Sequence, residues 1–227
     1  MLMRSLTPLL LTLKVAGLAT LAAFLAGVAL ASFLARFRFW GKEWLDAVFT
    51  LPLVMPPTVL GYYLIVLIGR NGWIGRWLYE ALGITLMFTW QGAVIASTVV
   101  SLPLVFKAAR SAFESVDPNL EKAARTLGLS ETGVFLRVSL PLAWRGIMAG
   151  TMLAFARAMG EFGATLMVAG NLPGKTQTLS LAVYDAVQAG NDRLAFVLVL
   201  ITSLVCMVVL VSSGRILKTQ YLKEVDR

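Results

Sequence analysis

Long apolar blocks alternate with shorter polar stretches along the whole sequence. Each block is close to the roughly 20 residues that an α-helix needs to cross the hydrocarbon core of a bilayer. The blocks occupy approximately residues 9–34, 44–68, 84–106, 140–169 and 194–211. The fourth is longer than one crossing requires. The pattern predicts an all-α, polytopic membrane protein with five spanning helices, or six if the fourth block divides, in one transmembrane domain over residues 1–227.

The composition supports a membrane protein without catalytic chemistry. The 227 residues are 58% hydrophobic and 14% charged, with a mean hydropathy of +0.79, whereas a soluble domain is about half apolar and about a quarter charged. Histidine is absent, and the one cysteine, Cys206, lies inside an apolar block. Histidine-dependent catalysis, a disulfide framework and a multi-cysteine metal site are therefore excluded. We expect neither catalytic residues nor a metal site.

The basic residues predict an orientation. The net charge of +8 would suit nucleic acid, but Lys and Arg lie between the apolar blocks and not along one amphipathic face. One side of the membrane gathers thirteen of them, in the loop after the first block, the polar stretch before the fourth block and the C-terminus, against six on the other side. The positive-inside rule makes the first side cytoplasmic. The N-terminus is then outside and the C-terminus inside, with lipid and not nucleic acid as the surroundings.

Prolines interrupt the second block at Pro52, Pro56 and Pro57. Proline removes a backbone donor and clashes with the preceding turn, so this helix is predicted to kink or break within the membrane. Broken membrane helices need protein or a water-lined cavity beside them. Two interpretations stay open for Pro56 and Pro57: the break serves packing alone, or it lines the translocation path or gate.

Arg157 and Glu161 lie inside the fourth block, four residues apart and therefore on one helical face. Insertion scales put a mid-membrane charge at about 2.5–3.5 kcal/mol, which favours pairing and contact with protein or water. Two roles stay open: a structural ion pair, or a pair that fixes the extracellular end of the block near the gate. The block also carries a small-residue stripe on which another helix can pack closely. Its members are Gly146, Gly150, Ala154 and Ala158.

A long polar stretch over residues 110–137 separates the third block from the fourth. Asp117 can cap a short helix whose first turn holds Pro118, and Gly128 can end that helix. Ser130 can cap a second helix that would run to about residue 138, before Pro141. Two helices this polar are expected outside the bilayer, on the cytoplasmic side.

This stretch resembles the cytoplasmic motif of membrane subunits of ABC importers, in which an acidic residue and two alanines precede a glycine, with a hydrophobic-x-Leu-Pro sequence farther on. The matching residues are Lys122-Ala123-Ala124, Gly128 and Val138-Ser139-Leu140-Pro141. The resemblance implies that this coupling helix docks on an ATP-hydrolysing subunit. The residues that it assigns to the contact are Glu121, Lys122, Ala123, Ala124 and Gly128. Lys122 departs from the family, which usually has an acidic or amide residue there, and Glu121 stands one position earlier.

A second segment resembles permeases for tetrahedral oxyanions. It is AFARAMGEFGA over residues 154–164, and LPLVMPP at 51–57 and GIT at 83–85 accompany it. Over nearly its entire length the chain is most similar to molybdate permease subunits, with tungstate and sulfate permeases as the alternatives. The resemblance implies the permease fold of a type I ABC importer, in a bacterial or archaeal inner membrane.

The resemblance also implies the partners. Two copies of the chain would form the path at their interface, two ABC ATPase subunits would dock on the coupling helices, and an external binding protein would deliver the oxyanion. The ATPase subunits would bind ATP and Mg²⁺. This chain would then hold no cofactor and would not itself be an enzyme.

Two other functions compete with import. Residues 169–176 fit a loose phosphate-loop pattern, but such a loop needs a strand before it and a helix after it, whereas an apolar block precedes this one. An external loop that contacts a binding protein is the expectation. A secondary transporter would show internal repeats or proton-relay carboxylates, and Glu161 is the only acidic residue well inside a block.

Overall fold

The computed structural model describes the backbone of residues 2–37 and 39–225 and the side chains of residues 6–37 and 39–211. Every regular element in these ranges is helical. The α-helices are α1 Leu2–Arg36, α2 Lys42–Val54, α3 Pro57–Ile68, α4 Trp73–Leu82, α5 Trp90–Glu114, α6 Pro118–Thr126, α7 Glu131–Val134, α8 Leu140–Met159, α9 Gly163–Ala169, α10 Leu179–Gln188 and α11 Asp192–Val225. A π-helical turn, Phe135–Ser139, joins α7 to α8. The predicted all-α architecture is confirmed.

Four helical stretches in the described part of the chain are long and apolar enough to cross a bilayer. They are Leu6–Arg36, Trp90–Glu114, Glu131–Met159 and Asp192–Val211. Helices α2 and α3 form a fifth candidate, a pair bent by 116°. The fourth apolar block does divide, at residues 160–162, but α9 has only seven residues and extends about 10 Å. It is too short to cross a membrane, so the division adds no sixth span.

The small-residue stripe of the fourth block packs inside the chain. A Cβ atom added to Gly150 would lie 2.3 Å from Cβ of Ala108, and one added to Gly146 would lie 2.6 Å from Cβ of Ala112, both on α5. The two alanines of the stripe are buried in clusters with residues of α1 and α5. The predicted close approach of another helix is therefore confirmed, and the helices concerned belong to the same chain.

Pro56 and Pro57 break the second block, as predicted. Helix α2 ends at Val54, and α3 begins at Pro57. A proline is tolerated at this position because the N–H groups of the first helical turn have no acceptor within the helix. Pro52 lies inside α2 without ending it.

The bent pair follows α5 from one end toward the other. Near the start of α2, Asp46 forms ion pairs with Lys107 and Arg110, in the last turns of α5. Near the end of α3, Ile68 packs in a cluster with Ala96, in the first turns of α5. The contacts of α2 and α3 thus run from the last turns of α5 to its first turns, which agrees with the predicted broken span.

The polar stretch forms the predicted short helices with one difference. The predicted end of the second helix before Pro141 is wrong, because the chain continues through the π-helical turn into α8. Proline lacks an N–H, and its ring clashes with the carbonyl four residues earlier. The Leu140 N–H instead bonds to the Phe135 carbonyl, five residues back. The helix widens ahead of the proline and does not stop.

Basic residues from two of the polar stretches lie at the same end of the helical bundle. Arg36 and Lys42, from the loop after the first block, line one open cavity with Arg125 of α6. The loop and α6 therefore lie at the same end of the bundle, as the predicted orientation requires. Other basic residues used in that prediction lie outside the described side chains: Arg4, Arg38, Arg215, Lys218, Lys223 and Arg227.

Candidate coupling and translocation sites

Local side-chain hydrogen bonds define the ends of α6 and the start of α7. The Asp117 carboxylate accepts a hydrogen bond from the Asn119 N–H at 2.9 Å and caps α6. At the other end Gly128 adopts a φ of +86°, a left-handed conformation that glycine takes without steric cost. The Ser130 hydroxyl accepts from the Gly133 N–H at 3.2 Å and caps α7. All three predicted signals are confirmed.

One face of α6 is exposed and apolar. Leu120 is 49% exposed and Leu127 is 84% exposed. Ala123, also exposed, lies between them at the spacing of one helical face. We name these three residues the α6 face. Large apolar side chains exposed together on a polar helix indicate a surface that binds another protein.

The predicted docking residues divide into two groups. Three are exposed on α6 or just beyond it: Lys122, Ala123 and Gly128. Ala124 is buried, and Glu121 turns toward the body of the protein. The prediction from sequence did not include Leu120 and Leu127, although their i, i+3, i+7 spacing with Ala123 on a polar helix is a signal that could have identified them.

Hydrogen bonds attach α6 to α7 and to the residue that precedes α8. The hydroxyl of the buried Ser139 donates to Glu121, with 2.6 Å between Oγ and Oε1. Arg125 donates to both carboxylate oxygens of Glu131, at 2.6 and 3.2 Å, and to Glu121 at 3.4 Å. The hydrogen bond to Glu131 raises the pKa of Arg125 above its ordinary value. The guanidinium therefore stays charged, and this network does not titrate through arginine.

The predicted pair of Arg157 and Glu161 forms at the break in the fourth block. Arg157 Nη1 lies 2.8 Å from Glu161 Oε2, and the side chains are 33% and 1% exposed. The other Glu161 oxygen accepts the Ala164 N–H at 2.8 Å. Glu161 thus joins the end of α8 to the start of α9. The pair therefore lies where α8 ends and α9 follows, and both predicted roles stay open: a structural ion pair, or a pair that fixes the extracellular end of the block near the gate.

The two broken blocks touch each other. A Cβ atom added to Gly163, the first residue of α9, would lie 2.9 Å from Cβ of Pro57. One added to Gly61 of α3 would lie 2.6 Å from Cβ of Met167 in α9. The structure therefore brings the break at Pro56 and Pro57 against the break that Glu161 spans. The residues predicted to couple to an ATPase form a separate site, at one end of the bundle.

The loop after α9 does not have the structure of a phosphate-binding loop. A helix, and not a strand, precedes it. The hydroxyl of the buried Thr176 accepts the Leu172 N–H at 3.1 Å, which folds the loop on itself. Gln177 bonds to Asn171 at 3.0 Å. The rejection of nucleotide binding at this loop is consistent with this geometry.

Comparisons with known proteins give a family match over most of the chain. The family of binding-protein-dependent transport system inner membrane components matches residues 23–220. The molybdenum transport system permease protein ModB of Escherichia coli (strain K12) is 48% identical, over 90% of this chain and 90% of that protein. The putative molybdenum transport system permease protein YvgM of Bacillus subtilis (strain 168) is 43% identical, over 90% of this chain and 88% of that protein.

A solved structure shares the fold. The inward-facing MetNI methionine ABC transporter superposes with a TM-score of 0.76 at 16% identity, over 96% of this chain and 97% of that chain. The similarity confirms the predicted permease fold of a type I ABC importer. Since the family match extends over most of the sequence and the relatives cover nine-tenths of it, this chain belongs to the family of binding-protein-dependent transport system inner membrane components.

Proposed function

We propose that this chain is the membrane permease subunit of an ATP-driven importer for molybdate. The observation that carries the proposal is the α6 face, an exposed apolar surface on a helix that is hydrogen-bonded to the start of a membrane-spanning helix. Such a helix gives a partner ATPase both a surface to bind and a connection into the membrane. The molybdenum permeases that are 48% and 43% identical support molybdate as the cargo. Tungstate and sulfate are the alternatives within the same class.

The proposed assembly contains two copies of this chain, two ABC ATPase subunits and an external binding protein. The ATPase subunits dock on the two α6 faces and bind ATP and Mg²⁺, so hydrolysis takes place outside this chain. The N-terminus lies outside the cell and the C-terminus in the cytoplasm, an orientation that the distribution of Lys and Arg supports.

Transport requires two conformations that the partners favour by different contacts. ATP binding closes the ATPase subunits, and α6 passes their movement to α8. The breaks at Pro57 and Gly163 interrupt the backbone hydrogen bonds of two neighbouring helices, so a change in angle there disrupts fewer bonds than one within a helix. The contact of these two breaks is our candidate for the part of the path that opens and closes.

Arg157 lies at this part of the path. Its guanidinium is one-third exposed and paired with Glu161, so an oxyanion passing it meets a partly neutralised positive charge. Such a charge favours passage over tight retention. Selectivity then rests with the binding protein, which delivers the cargo.

Reconstitution in liposomes tests the proposal. We expect molybdate to stimulate ATP hydrolysis and to enter the lumen only when the ATPase subunits, the loaded binding protein and ATP are all present. The matched control omits the binding protein. Uptake by this chain alone would indicate a secondary transporter and overturn the proposal. Stimulation by tungstate or sulfate, without stimulation by molybdate, would change the cargo and leave the importer class in place.

A further inference from the structure

Helix α6 is held to the rest of the protein by polar contacts. Ala124 is the one buried residue among the described side chains of this helix. An open cavity of about 690 Å³ separates α6 from the ends of α1 and α5, and Glu121, Arg125 and Ser139 line it. Because little apolar surface is buried here, hydrophobic packing contributes little to the position of α6. The hydrogen bonds of this helix therefore determine where it lies.

One of these bonds reaches a residue that is itself part of the membrane helix. Ser139 is 2% exposed and ends the π-helical turn that runs without interruption into α8. Its hydroxyl donates to the Glu121 carboxylate at 2.6 Å, a charge-assisted bond of the stronger kind. The contacts of Arg125 to Glu131, in contrast, end on α7, at the far side of the π-helical turn from α8.

We propose that the bond between Glu121 and Ser139 transmits the movement of the coupling helix to α8. Both are positioning residues, since neither lies on the α6 face. A π-helical turn is a widened segment, often found where a helix serves a function, and here it allows the start of α8 to follow α6. This inference rests on the proposed function. It also gives a reason why Lys122 can stand where the family usually has an acidic or amide residue. In this chain the acidic residue of the link is Glu121, and its carboxylate bonds inside the protein.

Ser139→Ala and Glu121→Ala test the link in the complete reconstituted complex. We expect each variant to copurify with the ATPase subunits and to hydrolyse ATP, while molybdate uptake per ATP hydrolysed falls about tenfold, as for the loss of one charge-assisted hydrogen bond. The double variant should lose no more than either single variant, because the two residues form one contact. Glu121→Gln should restore uptake, since its amide oxygen still accepts from Ser139. Ser111→Ala, an exposed serine on α5, is the matched control.

The outcomes separate this inference from the proposed function. Failure of the unmodified chain to assemble with an ATPase or to take up an oxyanion overturns the proposed function. Normal uptake per ATP in Ser139→Ala, in a complex that otherwise transports, overturns the link alone. The link is also overturned if Ser139→Ala loses the ATPase subunits or its thermal stability in parallel with uptake, because the bond would then hold the docking site in shape without transmitting movement.

Discussion

Neighbouring residues of α6 have opposite surroundings. Glu121 bonds to Ser139 inside the protein, whereas Lys122 and Ala123 are exposed. Leu127, directly after the last residue of α6, is 84% exposed. A leucine this exposed contributes little to the stability of the isolated chain, but in a complex it can fill an apolar pocket and become a main contributor to binding.

Replacing that leucine should therefore weaken assembly with the ATPase subunits without affecting the folding of this chain. We expect Leu127→Asp to weaken binding of the ATPase subunits by about 2–4 kcal/mol, the range for a central interface residue, because a carboxylate would be buried in the pocket. Thermal unfolding in detergent should be unchanged. Copurification and equilibrium binding measure the effect. Leu82→Asp is the control, since Leu82 is 59% exposed on α4. Equal binding by Leu127→Asp and the unmodified chain would show that the α6 face is not the docking surface.

Helices α1, α5 and α8 form the tightly packed part of the bundle, and the two broken blocks form the part with interrupted hydrogen bonds. The tight part depends on the absence of side chains, as at Gly150, where an added Cβ would lie 2.3 Å from Cβ of Ala108. At the breaks, the Glu161 carboxylate provides the hydrogen bond that the helix does not. Under the proposed function, the breaks are the places where the two conformations would differ.

The packing of α8 on α5 predicts that a Gly→Ala substitution there lowers the stability of the protein, which is the opposite of its usual effect within a helix. Within an exposed helix, Gly→Ala stabilises by up to about 1 kcal/mol. We expect this small gain for Gly17→Ala, because no atom lies within 4 Å of the added Cβ. Gly150→Ala should instead destabilise by about 1–3 kcal/mol through overpacking.

Thermal unfolding of the purified variants measures both effects. Adding Ala108→Gly to Gly150→Ala should recover part of the loss, because it removes the nearest atom, while the Leu104 carbonyl oxygen stays 3.0 Å from the added Cβ. A stability gain in Gly150→Ala would mean that α8 and α5 are not in this close contact.

Signals that act between neighbouring residues could be predicted from the sequence. The caps at Asp117 and Ser130 and the break at Pro56 and Pro57 each depend on a few adjacent positions. The break after α8 contains no proline, and the Glu161 carboxylate accepts the Ala164 N–H there. That bond joins positions on both sides of the break, so the sequence indicated only that the block was long.

Contacts between distant positions could not be predicted in the same way. The inward direction of Glu121 is set by Ser139, eighteen residues away. The helices that cover the small-residue stripe follow from the packing of the whole bundle. The sequence therefore predicted a coupling region but not which of its residues are exposed.

The whole molecule has two ends with different chemistry. One end carries α6, the cavity lined by Arg36 and Lys42, and the ion pairs of Asp46. The loop after α9 is folded on itself by its own polar groups and has Lys175 exposed. The proposed function places α6 in the cytoplasm and this loop outside, where a binding protein can reach it.

Labelling from the two sides of the membrane tests this orientation. Both variants are made in Cys206→Ala, whose labelling gives the background signal. Lys122→Cys should react with a membrane-impermeant thiol reagent only after the membrane has been disrupted so that the reagent reaches the cytoplasmic side. Lys175→Cys should react in intact cells. Both side chains are exposed, so access to solvent is not limiting. The reverse result for Lys122→Cys would place α6 outside the cell, where no ATP-hydrolysing partner could bind it.

The close packing of α8 on α5 has a consequence for chain length. An α-helix advances about 100° per residue, so a single deletion in α8 ahead of Gly150 would rotate every later residue of that helix by more than a quarter of a circle. Gly150 would then point away from Ala108. The number of residues in this interval therefore determines which face of α8 packs against α5. Related chains should tolerate length variation in the loop after α9 and resist it here, even where the residues themselves differ.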